Sequence, residues 1–386
     1  MPENATRRDQ LRQPPGGTNM AQPPSERLFR AAQSGDRRTV ADLIAASAPT
    51  DWTDPEGMTP LLAAFRAGRP DIARLLIAAG ADVRATDRLG RQCMHFAAAA
   101  PQCLVPGDTL FEVDGMATNA ADSTGARPLH RACSSAVEPL ICSGAAHRET
   151  RDMKNRTPLM RAAVEGRIAA LEALIEHQCD AAAKDQDGRT ALRMVAGTRQ
   201  GTAAVAMLAA RSWTPGGDKD GFTPLHAAVA AAGPEGYLQA VILVLGDADT
   251  KAVDNRGRTP LHAVNFFRAC ADGTALAETR ELVALLVAHG ADGNAKDENG
   301  DTPLHVASKS SAPPEILESL VSNGADPCRR NNKGEPAWGQ RSAELEARAK
   351  EADEARAAAP KYAARPFGGG LRRYVLRPDT TDGDQC

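Results

Sequence analysis

The sequence predicts an all-α chain folded as a solenoid of about nine short helical pairs, and three observations carry that expectation. A stretch of the form Asp-x-x-Gly-x-Thr-Pro-Leu-His keeps returning, most cleanly at Asp254–His262 and Asp297–His305, with Asp218–His226 close behind. It returns at near-constant spacing. Bulky side chains are also scarce, with aromatics at 4% of 386 residues, which suits thin helices stacking on small residues rather than one thick core.

Each copy reads as a turn followed by a helix start. Asp bonds its own downstream backbone and Gly accepts positive φ, so both favour the turn. Thr is a good N-cap, and Pro at the first helical position gives up no needed N–H. The turn-closing position falls at Gly57, Gly90, Gly125, Asn155, Gly188, Gly221, Gly257, Gly300 and Gly334, at intervals of 33, 35, 30, 33, 33, 36, 43 and 34 residues. Asp or Asn stands three residues before every one of them. Within a unit, Leu61, Ala63 and Ala64 fit one short helix and Ile72, Leu75, Leu76 and Ile77 the next, which Gly80 ends. Two such helices cannot bury their apolar faces alone, so units stack and each touches only its neighbours.

A period near 33 residues, each unit a turn plus two helices, resembles the ankyrin repeat. Met58-Thr-Pro-Leu-Leu-Ala-Ala followed by Ile72-Ala-Arg-Leu-Leu-Ile-Ala-Ala-Gly-Ala-Asp-Val83 is close to that family's pattern, as is Leu282-Val-Ala-Leu-Leu-Val-Ala-His-Gly-Ala-Asp292. The resemblance covers about residues 25–334. It implies an ankyrin-repeat α-solenoid with β-turn fingers. A polar N-terminal capping repeat is expected over 25–57 and the main array over 58–334, with degenerate units at 91–155 and an insertion near 266–277. Residues 1–24 and 360–386 are expected to be disordered tails, and 335–359 a C-terminal cap with a charged helix.

No catalytic, cofactor or metal site is expected. The eight cysteines are scattered, without a Cys-x-x-Cys pair, so neither a zinc site nor a disulfide framework follows. Gly-x-Ser-x-Gly and phosphate-loop motifs are absent. His95, His130, His226, His262 and His305 recur at one unit position and stand about 10 Å apart by helix spacing, too far to share an ion. The resemblance gives this His a structural role at the helix start. Lys and Arg number 46 against 49 Asp and Glu, so the overall charge suggests no nucleic-acid partner. No window is long and apolar enough for membrane insertion, and the polar start is no secretory signal.

The expected function is therefore non-catalytic protein binding, as adaptor, scaffold or inhibitor, by a monomer in the cytoplasm. The resemblance places partners on the concave side, on finger tips and first helices. Hot spots favour aromatics and Arg, so Phe65, Arg66, Arg88, Arg91, Arg156, Phe222, Arg256, Arg258, Phe266 and Phe267 are the expected contacts. The alternatives are a microbial or viral effector delivered to a host cell with residues 1–24 as its address, and a ubiquitin-ligase substrate adaptor docking through 335–386. Asn294, in Gly-Ala-Asp-Gly-Asn, also resembles asparagines that are hydroxylated in some ankyrin repeats.

Overall fold

A computed structural model describes residues 23–100, 117–142, 147–211, 216–231, 233–264, 266 and 273–337. The expected tails, the charged helix after 338 and half of the 266–277 insertion, residues 267–272, lie outside the described residues. Seventeen helices occur among the described residues. In chain order the first three pairs begin with α1 (Pro24–Ser34) and α2 (Arg37–Ala45), α3 (Pro60–Arg66) and α4 (Pro70–Ala78), then α5 (Cys93–Ala99), followed by the undescribed 101–116. Next come α6 (Pro128–Arg131) with α7 (Ser134–Cys142), α8 (Pro158–Val164) with α9 (Ile168–Glu176), and α10 (Ala191–Val195) with α11 (Thr202–Arg211). The last pairs are α12 (Pro224–Ala230) with α13 (Pro234–Leu245), α14 (Pro260–Ala263) with α15 (Gly273–Ala288), and α16 (Pro303–Lys309) with α17 (Pro314–Ser322).

Two layers result. The first helices form one row, in which α1 packs on α3, α3 on α5, α5 on α6, and so on to α16; the second helices form the other, from α7 through α9, α11, α13 and α15 to α17. Between the rows lies a core of small and aliphatic side chains such as Leu61, Ala64, Ile72, Leu76, Leu171, Val205, Leu243 and Leu286. The row of first helices starts as the sequence predicts. Thr59, Thr157, Thr190 and Thr223 each accept the N–H three residues on, and Pro follows directly at Pro60, Pro158 and Pro224.

The turns become fingers, and one side-chain oxygen builds each, a carboxylate in every finger but the last. Asp254 Oδ1 accepts the N–H groups of Arg256 and Arg258, both at 2.9 Å. The same pair of bonds recurs at every turn, from Asp54 to the final Asn331. Gly221 shows why Gly closes the turn: its φ is +75°, and an added Cβ would meet Asp254 Cα of the next finger at 2.9 Å. Asn155, the exception, adopts φ 59° and donates its side-chain amide to Lys184 O at 3.2 Å.

Adjacent fingers are also bonded to one another. Arg88 N donates to Glu56 O at 2.9 Å, and the ladder continues finger by finger to Asn332 N and Asn299 O at 3.0 Å. It runs unbroken through the irregular units at 91–155, where Ser123 N meets Leu89 O at 2.8 Å and Met153 N meets Thr124 O at 3.0 Å. The fingers of these units are as regular as the others.

Two of the shortened first helices are bonded at their ends by side chains from the next repeat. Helix α6 is four residues long, because Ala132 leaves helical geometry with ψ 132°. Arg167, from the following repeat, donates to His130 O at 2.7 Å and to Ala132 O. Helix α10 likewise stops at Val195, and the buried amide of Gln239 accepts Gly197 N at 2.6 Å and donates to Thr198 O at 2.7 Å. Replacing Arg167 with Met keeps the stem but strands these carbonyls. Hydrogen bonds to charged groups are worth about 1.5–3 kcal/mol each, so urea unfolding should show a loss of about 2–4 kcal/mol. An unchanged midpoint would mean the contacts are incidental.

Candidate functional site

In five units a recurrent histidine ties the start of the first helix to the finger of the next repeat. His226 Nδ1 accepts Thr223 N at 3.2 Å, while its Nε2 donates to Arg258 O of the next finger at 2.9 Å. His95, His130, His262 and His305 repeat the arrangement, reaching Ala126 O, Arg156 O, Asp301 O and Glu335 O at 3.0–3.1 Å. An acceptor at Nδ1 and a carbonyl at Nε2 fix one neutral tautomer. Burial holds His95, His226 and His262 below the ordinary histidine pKa and drives His130 down to about 4. With both ring nitrogens occupied, these side chains serve the fold. Among the described residues no group of three or more His, Cys, Asp or Glu is placed to hold a metal ion.

The finger carboxylates are equally committed. Beyond the turn bonds, Asp87, Asp152, Asp185 and Asp254 pair through Oδ2 with Arg91, Arg156, Arg189 and Arg258, at 2.6–2.9 Å. In the same way Arg131 serves Asp122 and Arg193 serves Asp218.

This accounting reorders the expected contacts. Phe65, expected on the interface, is fully buried at 0% exposure, and so is Phe266 at 1%. Phe65 lies four residues after Leu61 and three after Leu62, so it shares their inward face. Phe266 is turned inward because α14 ends at Ala263 and Val264 takes ψ 130°. Both are core residues and are withdrawn from the interface. Arg91, Arg156 and Arg258 are half-buried and braced to their own finger Asp. Arg66, Arg88 and Arg256 face solvent, with Arg66 only 3.7 Å from Glu56. Phe222 is half-exposed, with the Arg193 guanidinium 4.9 Å from its ring centroid and the His226 ring 5.0 Å away. Phe267 lies outside the described residues. Asn294 bridges repeats, donating to Gly324 O at 2.8 Å and accepting Asp326 N at 2.7 Å.

The exposed face also carries residues that the search for aromatics and Arg passed over. Met153 sits at a finger tip at 72% exposure and Leu89 at another at 48%. Val164, at 52%, ends α8 beside an open cleft of about 240 Å³, lined by Ala163, Gly166 and Thr198–Gly201, that the shortened α10 leaves. Met153 was findable: it occupies the tip position that Arg88, Asn255 and Glu298 hold in their own fingers.

The ankyrin-repeat pattern matches this chain in three copies, over residues 28–105, 129–214 and 230–331, more than half of its length. The chain belongs to the ankyrin-repeat family. Among its relatives, the human transient receptor potential cation channel subfamily A member 1 is 28% identical over 241 residues, 59% of this chain and 21% of that protein. Zebrafish (Danio rerio) inversin is 40% identical over 79 residues, 20% of this chain and 8% of that protein. Human inversin is 28% identical over 224 residues, 53% of this chain and 20% of that protein. The chain thus spans about a fifth or less of these relatives' length. No helix among the described residues is long and apolar enough to cross a membrane.

Proposed function

We propose that this ankyrin array is a non-catalytic binding protein, an adaptor, scaffold or inhibitor, that receives a protein partner along its finger tips and first helices as a monomer. One observation carries the reading. The recurring Asp, Thr and His side chains are consumed in holding fingers and helices together, while the variable tip residues Arg88, Leu89, Met153, Lys154 and Arg256 face solvent on a ladder of fixed backbone. A rigid scaffold with variable exposed side chains is suited to recognition. The matched relatives carry such an array within a longer chain, which fits a binding module. The cysteines Cys93, Cys133, Cys142 and Cys179 are free thiols, which suits a reducing compartment such as the cytoplasm. The effector and ligase-adaptor alternatives rest on residues 1–24 and 335–386, almost all outside the described residues.

A photo-crosslinking amino acid at Arg88 or Arg256 should give partner adducts in cells, and the same group at the exposed Glu172 of α9 should not. Adducts from Glu172 alone would move the interface to the second-helix row and defeat the reading.

A further inference from the structure

Resting on that reading, we infer that the middle fingers select a short, extended acidic peptide that carries an apolar residue at one end. In the sequence the fingers look electrically mixed. The structure separates the charges that build them from those that face outward. Asp152 and Asp185 are buried within their turns and matched by Arg156 and Arg189, and Asp218 is matched by Arg193. Outward stand Arg151, Lys154, Lys184 and Lys219, all exposed. Among the described residues Arg151 bonds backbone alone, at Asn155 O and Lys184 O, 3.0 and 2.9 Å away, so its charge meets no carboxylate there. The Lys184 ammonium leans across to Gly216 and the Lys219 stem packs over Gly188, so the cations follow the finger row from repeat to repeat. Two carboxylates oppose them: Asp187, itself 2.5 Å from Arg189, and the exposed Asp220. Residues 151–156, 184–193 and 218–222 together hold seven cationic side chains against five carboxylates.

The neighbouring surface narrows the ligand. Met153, at the first of these tips, offers an apolar contact at the edge of the basic strip. Further along, the finger at 296–301 loses the basic surplus: the exposed Glu298 stands against Lys296, Asp297 closes the turn, and Asp301 is buried and paired with Lys309. A long polyanion running the length of the finger row would gain nothing from that balanced end and would meet Glu298 there, whereas a short peptide stays on the basic fingers. Three fingers span about 20 Å at about 10 Å per repeat, which is roughly six or seven residues of extended peptide at ~3.3 Å each. Acidic side chains at every third position would then meet successive fingers, with the apolar residue beside Met153.

The test uses the full chain and fluorescein-labelled peptides of seven residues, read by anisotropy. One peptide carries an end Leu and Glu at every third position, a second has Gln for each Glu, and a third has Lys. The Glu peptide should bind at least tenfold more tightly than the other two and weaken as salt rises. A Lys154→Glu/Lys184→Glu variant, altered only at exposed tips and checked by circular dichroism, should lose at least tenfold in affinity, and Glu298→Lys should lose none. Equal binding of the Gln or Lys peptide, no loss in the double variant, or tighter binding of a single-stranded oligonucleotide or of anionic vesicles overturns the inference. Should crosslinks still map to Arg88 and Arg256 in that event, the broader binding role stands and only the acidic specificity falls.

Discussion

Phe65→Ala lowers the stability of the array by about 3–5 kcal/mol, the range for removing a buried Phe from a packed core. The ring is fully buried on the face of α3 that also carries Leu61, Leu62 and Ala64, against α1, α4 and α5. The truncation removes apolar area and leaves a void that flanking helices fill only in part. Each unit touches only its neighbours, so the loss concentrates in the N-terminal units. Urea unfolding should therefore develop an early phase, while partner crosslinking at Arg256, far along the row, persists at low denaturant. Arg66→Ala, one residue on and exposed, should stay within about 0.5 kcal/mol of the parent. A stable Phe65→Ala with weakened partner binding would restore Phe65 to the interface and refute the core assignment.

Acid is expected to loosen the whole array well above the pH at which carboxylates titrate. His95, His130, His226 and His262 are all held below the ordinary histidine value by burial. In the unfolded chain such rings protonate near 6.5. Below that pH the unfolded state takes up protons that the folded rings refuse, so stability falls as pH falls. The decline from His130 ends only where its folded ring titrates, at about 4. On the linkage relation this ring alone accounts for on the order of 3 kcal/mol. The finger carboxylates act lower. Burial by itself would raise Asp122, Asp152, Asp254 and Asp301, but hydrogen bonds and cationic neighbours outweigh it and hold them below the ordinary value of 3.8. Their contribution is complete above that value and is lost as pH drops through the folded values. Urea midpoints should thus decline steadily from pH 7 to 5, and His130→Met, borrowing the residue that Met160 supplies at the same position, should flatten the slope. A pH-independent midpoint across that interval would contradict neutral, buried rings.

How far the fold was legible depended on locality. The Asp-x-x-Gly turn, the Thr cap and the Pro start each act within a few residues, and all nine fingers form where the spacing places them. The irregular stretch at 91–155 was visible as sequence disagreement, but its remedy was not. Arg167 reaching back to His130 and Ala132 is a contact across 35 residues, and nothing in the local pattern of Gly166-Arg167-Ile168 announces it. The same holds for Gln239 and the loop at Gly197–Thr198.

The candidate site shows the sharper division. Residue type alone proposed Phe65 and Phe266 as anchors, because exposed aromatics make good hot spots. Which face of α3 points inward, and which way the chain leaves α14, are set by the packing of neighbouring helices. By itself the sequence determined the repeat, its period and its turn chemistry, since those follow from backbone preferences of Asp, Gly, Thr and Pro acting on adjacent residues. Tertiary structure alone decided which charges are used up. Asp152 and Arg156 read as two free charges in sequence and stand in the fold as a pair, a buried carboxylate under a half-buried guanidinium, leaving Lys154 between them exposed. The reason is desolvation: a carboxylate enclosed in its turn must be matched by hydrogen bonds and a cation, whereas a finger-tip lysine remains in water and available to a partner.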